Sequence, residues 1–218
     1  MQKLISLLYL LSAYGFYAQA DYSSFYFKTS QPTDTPSIFE IDQSFTGSYY
    51  KENDSLIRIV VEKDSIYSEF GILFIVSPKE LKKNNSLLIK DSLIFGIQPK
   101  KGIPFKKIED TIYAVLIQQD LLFKPDSNHI LKFKNETYFL NTKNENDLFS
   151  TTLLNLEKDT LFLKETDHLS VFDLLKKFKM LEESSNKKMK TYIANPSVDE
   201  LLMFIKQGGF NELIKYRL

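Results

Sequence analysis

Two apolar runs set the pattern of this chain: Leu56-Ile57-Arg58-Ile59-Val60-Val61 and Gly71-Ile72-Leu73-Phe74-Ile75-Val76. Both are short and rich in β-branched residues, and Asn, Asp, Lys or Pro residues flank them, which is typical of β-strands. Similar runs continue to about Glu165 with almost no helical periodicity between them. They are residues 66–67, 87–90, 93–97, 111–117, 130–133, 137–140, 148–156 and 160–163.

An acidic residue followed by a hydroxyl residue opens several of these runs. The triplets are Asp54-Ser55-Leu56, Asp64-Ser65-Ile66, Asp91-Ser92-Leu93, Asp110-Thr111-Ile112 and Asp159-Thr160-Leu161, with Glu136-Thr137-Tyr138 as a looser copy. Their uneven spacing excludes a solenoid or propeller repeat. Because Asp accepts local backbone hydrogen bonds in turns, we interpret each triplet as a hairpin turn. The sequence therefore predicts an antiparallel β-meander from about Phe45 to Glu165, forming a small barrel or a two-layer sheet.

Beyond Glu165 the apolar residues recur with the period of a helix. Ser170 as N-cap with Asp173 in the first turn predicts one helix, and Ser197 with Glu200 predicts the capping box of a second. Each helix would carry an apolar stripe that has to pack against another element.

The remaining C-terminal stretches complete the predicted fold. We interpret the polar, Lys-rich residues 184–191 as an exposed loop and residues 210–218 as a further helical turn or two. One more helical turn is expected at residues 77–81, where Ser, Pro and Glu occupy capping positions. The predicted fold class is therefore α+β, with an antiparallel β-meander followed by C-terminal helices packed on the sheet.

Residues 1–20 match a secretory signal peptide. Lys3 precedes an apolar stretch, and Ala18-Gln19-Ala20 provides a small-residue cleavage site before Asp21. We expect cleavage between Ala20 and Asp21, no transmembrane anchor after leader removal, and an exported protein that is periplasmic, envelope-associated or secreted. The expected division of the chain is 1–20 signal peptide, 21–44 N-terminal strand and linker, 45–165 antiparallel β domain, and 166–218 C-terminal helical segment.

Composition excludes several functional classes. The 218 residues contain 28 Lys+Arg and 28 Asp+Glu, so no basic excess favours binding to nucleic acid. The absence of Cys excludes disulfides, a thiolate nucleophile and Cys-ligated metal centres. The seven Gly residues form no dinucleotide fingerprint, P-loop or nucleophile elbow. We therefore assign no catalytic residue, no cofactor and no metal ligand.

Three weaker features each have a simpler structural explanation that we prefer. His129 and His168 are general-base candidates without local support, and we expect exposed or capping histidines. The stretch Asn144-Glu145-Asn146-Asp147 offers oxygen ligands for calcium, but it lacks the spacing of a calcium loop and reads as a hairpin loop. The lysine clusters at 176–179 and 187–190 read as solvated surface rather than as sites for anionic polymers.

The leader, the composition rich in Lys, Asn, Ile and Phe, and the repeated triplets together resemble small exported proteins of Bacteroidota that have no assigned activity. Residues 195–201 and 204–210 look like the C-terminal segment of such proteins. The resemblance implies no catalytic residue. It does imply that the triplets match an O-glycosylation acceptor motif, and the alternative is that these hydroxyls only begin strands. The candidates are Ser55, Ser65, Ser92, Thr111 and Thr160.

These observations favour a non-enzymatic protein of the cell envelope that binds an envelope protein or a ligand. One alternative is a hydrolase of envelope polymers or secreted substrates, in which the fold brings His129 or His168 together with acids. Another is a structural accessory subunit of an envelope complex. A hydrolase predicts a histidine, an acid and a hydroxyl or water site in one pocket. A binding protein predicts an exposed apolar patch.

Overall fold

The computed structural model describes residues 23–83, 87–98, 101–166, 171–177, 181–186 and 189–218. These residues form fifteen β-strands, three short α-helices and a 3-10 turn at Gln43–Phe45. The first eight strands are β1 (Ser23–Phe27), β2 (Gly47–Lys51), β3 (Asp54–Val61), β4 (Ile66–Val76), β5 (Leu88–Lys90), β6 (Leu93–Gln98), β7 (Lys101–Ile108) and β8 (Thr111–Phe123). The others are β9 (His129–Lys134), β10 (Thr137–Lys143), β11 (Phe149–Glu157), β12 (Thr160–Glu165), β13 (Leu181–Asn186), β14 (Met189–Ala194) and β15 (Glu212–Arg217). The helices are α1 (Pro78–Lys83), α2 (Phe172–Lys177) and α3 (Val198–Lys206).

The acidic–hydroxyl triplets lie at hairpin turns, as predicted. They join β2 to β3, β3 to β4, β5 to β6, β7 to β8 and β11 to β12, and the looser copy joins β9 to β10. At the first turn, Oδ1 of Asp54 accepts the backbone N–H of Leu56 at 3.0 Å. Asp91 and Ser92 have φ values of 51° and 61°, the left-handed geometry of a tight hairpin whose twist matches its strands. The prediction of successive hairpins is therefore confirmed.

The strands pair in the order β13-β14-β1-β11-β12-β15-β2-β3-β4-β8-β7-β6-β5, with β10 bonded to β11 and β9 bonded to β10. The β1–β14 pair is parallel, so the sheet is mixed. Nine strands (β2, β3, β4, β8 to β12 and β15) contribute to one core that includes the fully buried Ile59, Leu131, Leu154 and Leu161. The sheet curls around this main core.

Two smaller cores lie outside the main one. On the other face of β10 and β11, Phe139 and Leu153 pack with residues of α2 and α3, including Leu175 and Phe204. Because side chains alternate between the faces of a strand, β10 and β11 serve both cores at once. A third core, which includes Ile94, joins β6 and β7 to the far ends of β4 and β8.

A segment without regular structure, residues 29–38, is fastened to β9 and β10 by two buried side chains. Nζ of Lys132 donates to the carbonyl oxygens of Ser30 and Pro32, at 2.9 and 2.8 Å. Burial lowers the pKa of Lys132 from its ordinary value. The amide of Asn141 exchanges two hydrogen bonds with the backbone of Gln31, at 2.8 and 2.9 Å. Ile38, at the end of the segment, forms an isolated bridge with Leu131 of β9, and the polar side chains hold the residues before it.

The predicted α+β class with C-terminal helices is wrong, because most of the C-terminal region joins the sheet. Residues expected as a loop belong to β13 and β14, which continue the sheet beside β1. Residues expected as a terminal helix form β15, which lies between β12 and β2. In β15 the buried Tyr216 alternates with the exposed Lys215 and Arg217, a strand pattern. Pairing with the free edges of β12 and β2 therefore decided this segment.

Two of the predicted helix signals are confirmed. Ser197 and Glu200 form the capping box of α3, and Ser77 and Glu80 exchange hydrogen bonds at the start of α1. In the first C-terminal helix, Asp173 lies in the first turn of α2. The expected N-cap, Ser170, lies outside the described residues. Local capping chemistry therefore marked helix starts correctly, although it did not fix the fold class.

Candidate interaction surface

The longest strands, β4 and β8, pair along their whole lengths and extend past the main core. Their near ends contribute Ile66 and Phe123 to that core. Their far halves, residues 71–76 and 111–117, form a two-stranded extension that we call the arm. Phe74 and Leu116 of the arm pack against the third core on one of its faces. Among the described residues, no element packs against the opposite face of the arm.

This uncovered surface is aliphatic. Leu73 pairs with Val115 and Ile75 with Tyr113, and these residues alternate with the ones that pack on the third core. Leu73 is 47 % exposed, Ile75 58 % and Ile117 47 %. Such exposure of adjacent aliphatic residues on one strand pair marks an interaction surface. We define the arm face as Leu56, Leu73, Ile75, Ile108, Tyr113, Val115 and Ile117.

Packing places Leu56 of β3 on this face, and strand register places Ile108 of β7 on it. Leu56 of β3 and Val115 of β8 meet above Gly71, since a Cβ built on that glycine would lie 3.1 Å from Leu56 Cδ2 and 2.9 Å from Val115 Cγ1. Ile108 of β7 pairs with Thr111, two residues before Tyr113, so its side chain leaves the sheet on the same side. The arm face therefore extends across four neighbouring strands.

A row of polar side chains borders the arm face on β2, β3, β4 and β8. Nε of Arg58 donates to Glu69 Oε2 at 2.5 Å, and Nε2 of Gln119 donates to Oε1 of the same carboxylate at 3.1 Å. Arg58 also donates to the hydroxyl of Tyr50 at 3.1 Å. The hydrogen bond with Glu69 raises the pKa of Arg58 further. Glu69 is only 9 % exposed, yet both of its oxygens are satisfied.

This polar row and the arm face together line a shallow cavity of about 190 Å³. Arg58 and Glu69 lie on one side of it, and Leu56, Val115 and Ile117 lie on the other. Because Arg58 and Glu69 neutralise each other, the row offers a polar border without net charge.

His129, the described histidine, is engaged within its own turn. Its Nδ1 lies 2.9 Å from Asp126 Oδ1, and its ring meets the edge of Phe123 at 5.7 Å between centroids. Backbone N–H groups of Asn128 and then the His129 ring lower the pKa of Asp126. These contacts are those of a capped turn. His168, the other candidate, lies outside the described residues.

The glycosylation candidates differ in accessibility. Ser55 and Ser92 are exposed, and Thr111 and Thr160 are half-buried at the starts of β8 and β12. Ser65 is 1 % exposed, and its hydroxyl donates to side-chain oxygens of the acidic residues 62 and 64. Ser65 is therefore closed to modification in the folded chain. The expected cleavage residues, Ala20 and Asp21, lie outside the described residues.

Side chains of the oxygen-rich loop before β11, residues 144–147, make local hydrogen bonds and an ion pair. Oδ1 of Asn144 accepts the backbone N–H groups of Asn146 and Leu148, and Asp147 pairs with Lys143 at 2.7 Å. In the part of the chain that the structure describes, no three His, Asp or Glu side chains are grouped to hold a metal ion.

The lysine clusters fall partly on described residues. Lys176 and Lys177 are exposed in the last turn of α2, as expected for a solvated helix face. Lys187 and Lys188 lie outside the described residues.

The sequence predicted the strands of the arm but not that one face of the arm is exposed. The sequence feature that bears on this exposure is the run from Gly71 to Val76, which has no polar residue on either face. A strand that is apolar on both faces is typical of burial on both sides. The third core covers only one of these faces.

Compared with known protein families, curated proteins and solved structures, the chain gives no significant match. Among the described helices, none has the length and the apolar character needed to cross a membrane.

Proposed function

We propose that this is an exported protein of the cell envelope that binds a partner protein through the arm face, without catalysis. The observation that carries the proposal is the exposure of Leu73, Ile75 and Ile117 on two paired strands. Together the arm-face residues expose roughly 500 Å² of mostly apolar surface, within the range of the largest patches on monomeric proteins, which are often functional.

Location in the envelope is the second part of the proposal. It is supported by the signal-peptide pattern of residues 1–20 and by the resemblance to exported proteins. O-glycosylation belongs to the same proposal, with Ser55, Ser92 and Thr160 as the accessible acceptors. Thr111 lies on the side of the sheet that carries the arm face, where a glycan would compete with a partner. The three acceptors lie in or beside hairpin turns, where a modifying enzyme has access to the backbone.

Neither alternative function gains a specific observation. The hydrolase alternative uses a histidine directed at a reaction site, whereas His129 is hydrogen-bonded to Asp126 inside one turn. A structural accessory subunit would use the same arm face, so the identity of the bound partner separates that function from others.

The test is native mass spectrometry of the protein recovered from the envelope fraction of its own cells. The chain offers a matched pair of substitutions, Leu73→Glu on the arm face and Leu213→Glu on β15. Both leucines lie within strands and are almost equally exposed, 47 % and 45 %. We expect wild type and Leu213→Glu to carry additional protein mass and Leu73→Glu to lose it.

Two results would overturn the proposal. If all three proteins carried the same additional mass, the partner would bind elsewhere. If none carried any, the arm face would have no partner under native conditions. Intact mass of the denatured chain tests the rest, because a mass equal to residues 21–218 alone would support leader cleavage and exclude glycosylation.

A further inference from the structure

We propose that the partner of the arm face is a second copy of this chain, packed face to face about a two-fold axis. This inference rests on the proposed function, because it requires that the arm face binds protein. It adds the identity of the partner and the geometry of the complex.

Strand pairing shows how a partner can cover the arm face. Within the arm, residues 71–76 of β4 pair with β8, whereas the described pairing of β4 with β3 ends at Phe70. An extended peptide added at that open edge would lengthen the sheet and leave the arm face exposed. To cover the face, the partner has to present a flat apolar surface of its own, at the spacing of about 10 Å at which sheets pack face to face.

The arm face itself meets this requirement. Its middle row, Leu73 and Val115, carries no charge, so a two-fold axis near this row brings no like charges together. The polar row with Arg58 and Glu69 borders one end, and Lys106 of β7, paired with Tyr113, lies at one side of the face. An apolar centre with a polar rim is the usual anatomy of a protein interface.

The area and the charge of the chain fit self-association. Two arm faces would bury roughly 1,000 Å² together, which is near the lower limit for specific interfaces and corresponds to a weak, reversible dimer. Without Lys3, which the expected cleavage removes, the chain has 27 basic and 28 acidic residues, so almost no net charge drives copies apart.

The first test is sedimentation equilibrium of the protein purified from its own envelope fraction, over concentrations from about 1 to 200 µM, the range for a weak dimer. We expect wild type and Leu213→Glu to change from the mass of one chain to that of two as concentration rises. Leu73→Glu should keep the mass of one chain throughout. Far-ultraviolet circular dichroism confirms that both variants are folded.

The second test uses the absence of cysteine from the chain. Leu73→Cys lies near the proposed axis, so mild oxidation should link two copies through that residue. The matched Leu213→Cys should cross-link at least about tenfold more slowly, since it can do so only by random collision.

Three results would overturn the inference: one-chain mass at every concentration, dimerisation unchanged by Leu73→Glu, or equal cross-linking of the two cysteine variants. Suppose instead that the purified chain stays monomeric, and that Leu73→Glu loses a different protein from its envelope complex. This result would overturn self-association and leave the proposed function standing. A monomer without additional mass in either setting would overturn both.

Discussion

Replacement of Asn141 by leucine should be among the most destabilising single changes in this protein. Asn141 has no exposed surface, and its Oδ1 accepts hydrogen bonds from the Gln31 N–H and the Thr151 hydroxyl, both at 2.8 Å. Its Nδ2 donates to the Gln31 carbonyl at 2.9 Å. Leucine has the same branched shape and the same number of heavy side-chain atoms but no polar atom, so the site stays filled while the hydrogen bonds are lost.

The expected magnitude follows from the groups left without partners. The Gln31 N–H and carbonyl and the Thr151 hydroxyl would stay buried, and each unsatisfied group costs about 1–3 kcal/mol. The sum is about 3–6 kcal/mol, allowing for partial relaxation of residues 29–38. Because native domains are stable by only about 5–15 kcal/mol, the variant should be close to unfolded at physiological temperature.

Urea denaturation followed by circular dichroism measures this loss, with Asn128→Leu as the control. Asn128 is exposed in the β8–β9 turn, and its replacement should change the free energy of unfolding by less than about 0.5 kcal/mol. A loss below about 1 kcal/mol for Asn141→Leu, with an unchanged denaturant slope, would contradict this expectation. It would mean that the segment is held by its apolar contacts rather than by this amide.

Three further outcomes are expected. Glu69→Gln should lower the free energy of unfolding by about 1–3 kcal/mol in urea titrations, because Arg58 loses a charged acceptor in a partly buried pair. Backbone N–H groups of its turn, and then His129, hold the pKa of Asp126 below its ordinary value of 3.8. The folded state therefore binds fewer protons than the unfolded one, so this contribution is present above the unfolded pKa and is lost as the pH falls through the lowered folded pKa. Melting temperatures measured from about pH 6 to pH 2 should decline, and less steeply in Asp126→Asn. Gly209→Ala should cost about 1–3 kcal/mol in thermal unfolding, because the new Cβ would lie 2.4 Å from the buried ring of Phe204.

Each of these outcomes has a contradicting result. Equal stability of Glu69→Gln and wild type would show that water replaces the ion pair at no cost. Parallel acid-melting profiles for Asp126→Asn and wild type would remove Asp126 as a source of pH dependence. Gly208→Ala is the control for Gly209, since nothing lies within 4 Å of its Cβ position although its φ of +85° disfavours alanine. A larger loss for Gly208→Ala would show that backbone strain outweighs the steric contact.

The strand-rich middle of the chain was predictable because its signals are local. A residue such as Asp54 hydrogen-bonds within its own turn, so the hairpin can be predicted from adjacent residues. The same holds for Ser197 and Glu200, whose mutual capping depends on spacing alone. Such features are independent of what the rest of the chain does.

The C-terminal strands were not predictable in the same way. Phe210, Leu213 and Ile214 fit a helical stripe as well as they fit a strand, because short apolar patterns do not separate the two periods. The choice was made by the free edges of β12 and β2, whose unpaired backbone groups β15 satisfies. The paired residues of β12 lie about 50 positions before those of β15, and the paired residues of β2 lie about 165 positions before them. Such pairings are non-local, so adjacent residues give no signal of them.

Neighbouring residues were enough to predict the hairpins and the caps of α1 and α3, and the composition showed that no cysteine chemistry is available. Contacts between distant segments placed β15 between β12 and β2, fastened residues 29–38 through Asn141, and set the third core against one face of the arm and not the other. Turns and caps are formed by bonds between neighbours in sequence. Which face of an apolar strand stays exposed depends on what the rest of the chain can bring against it.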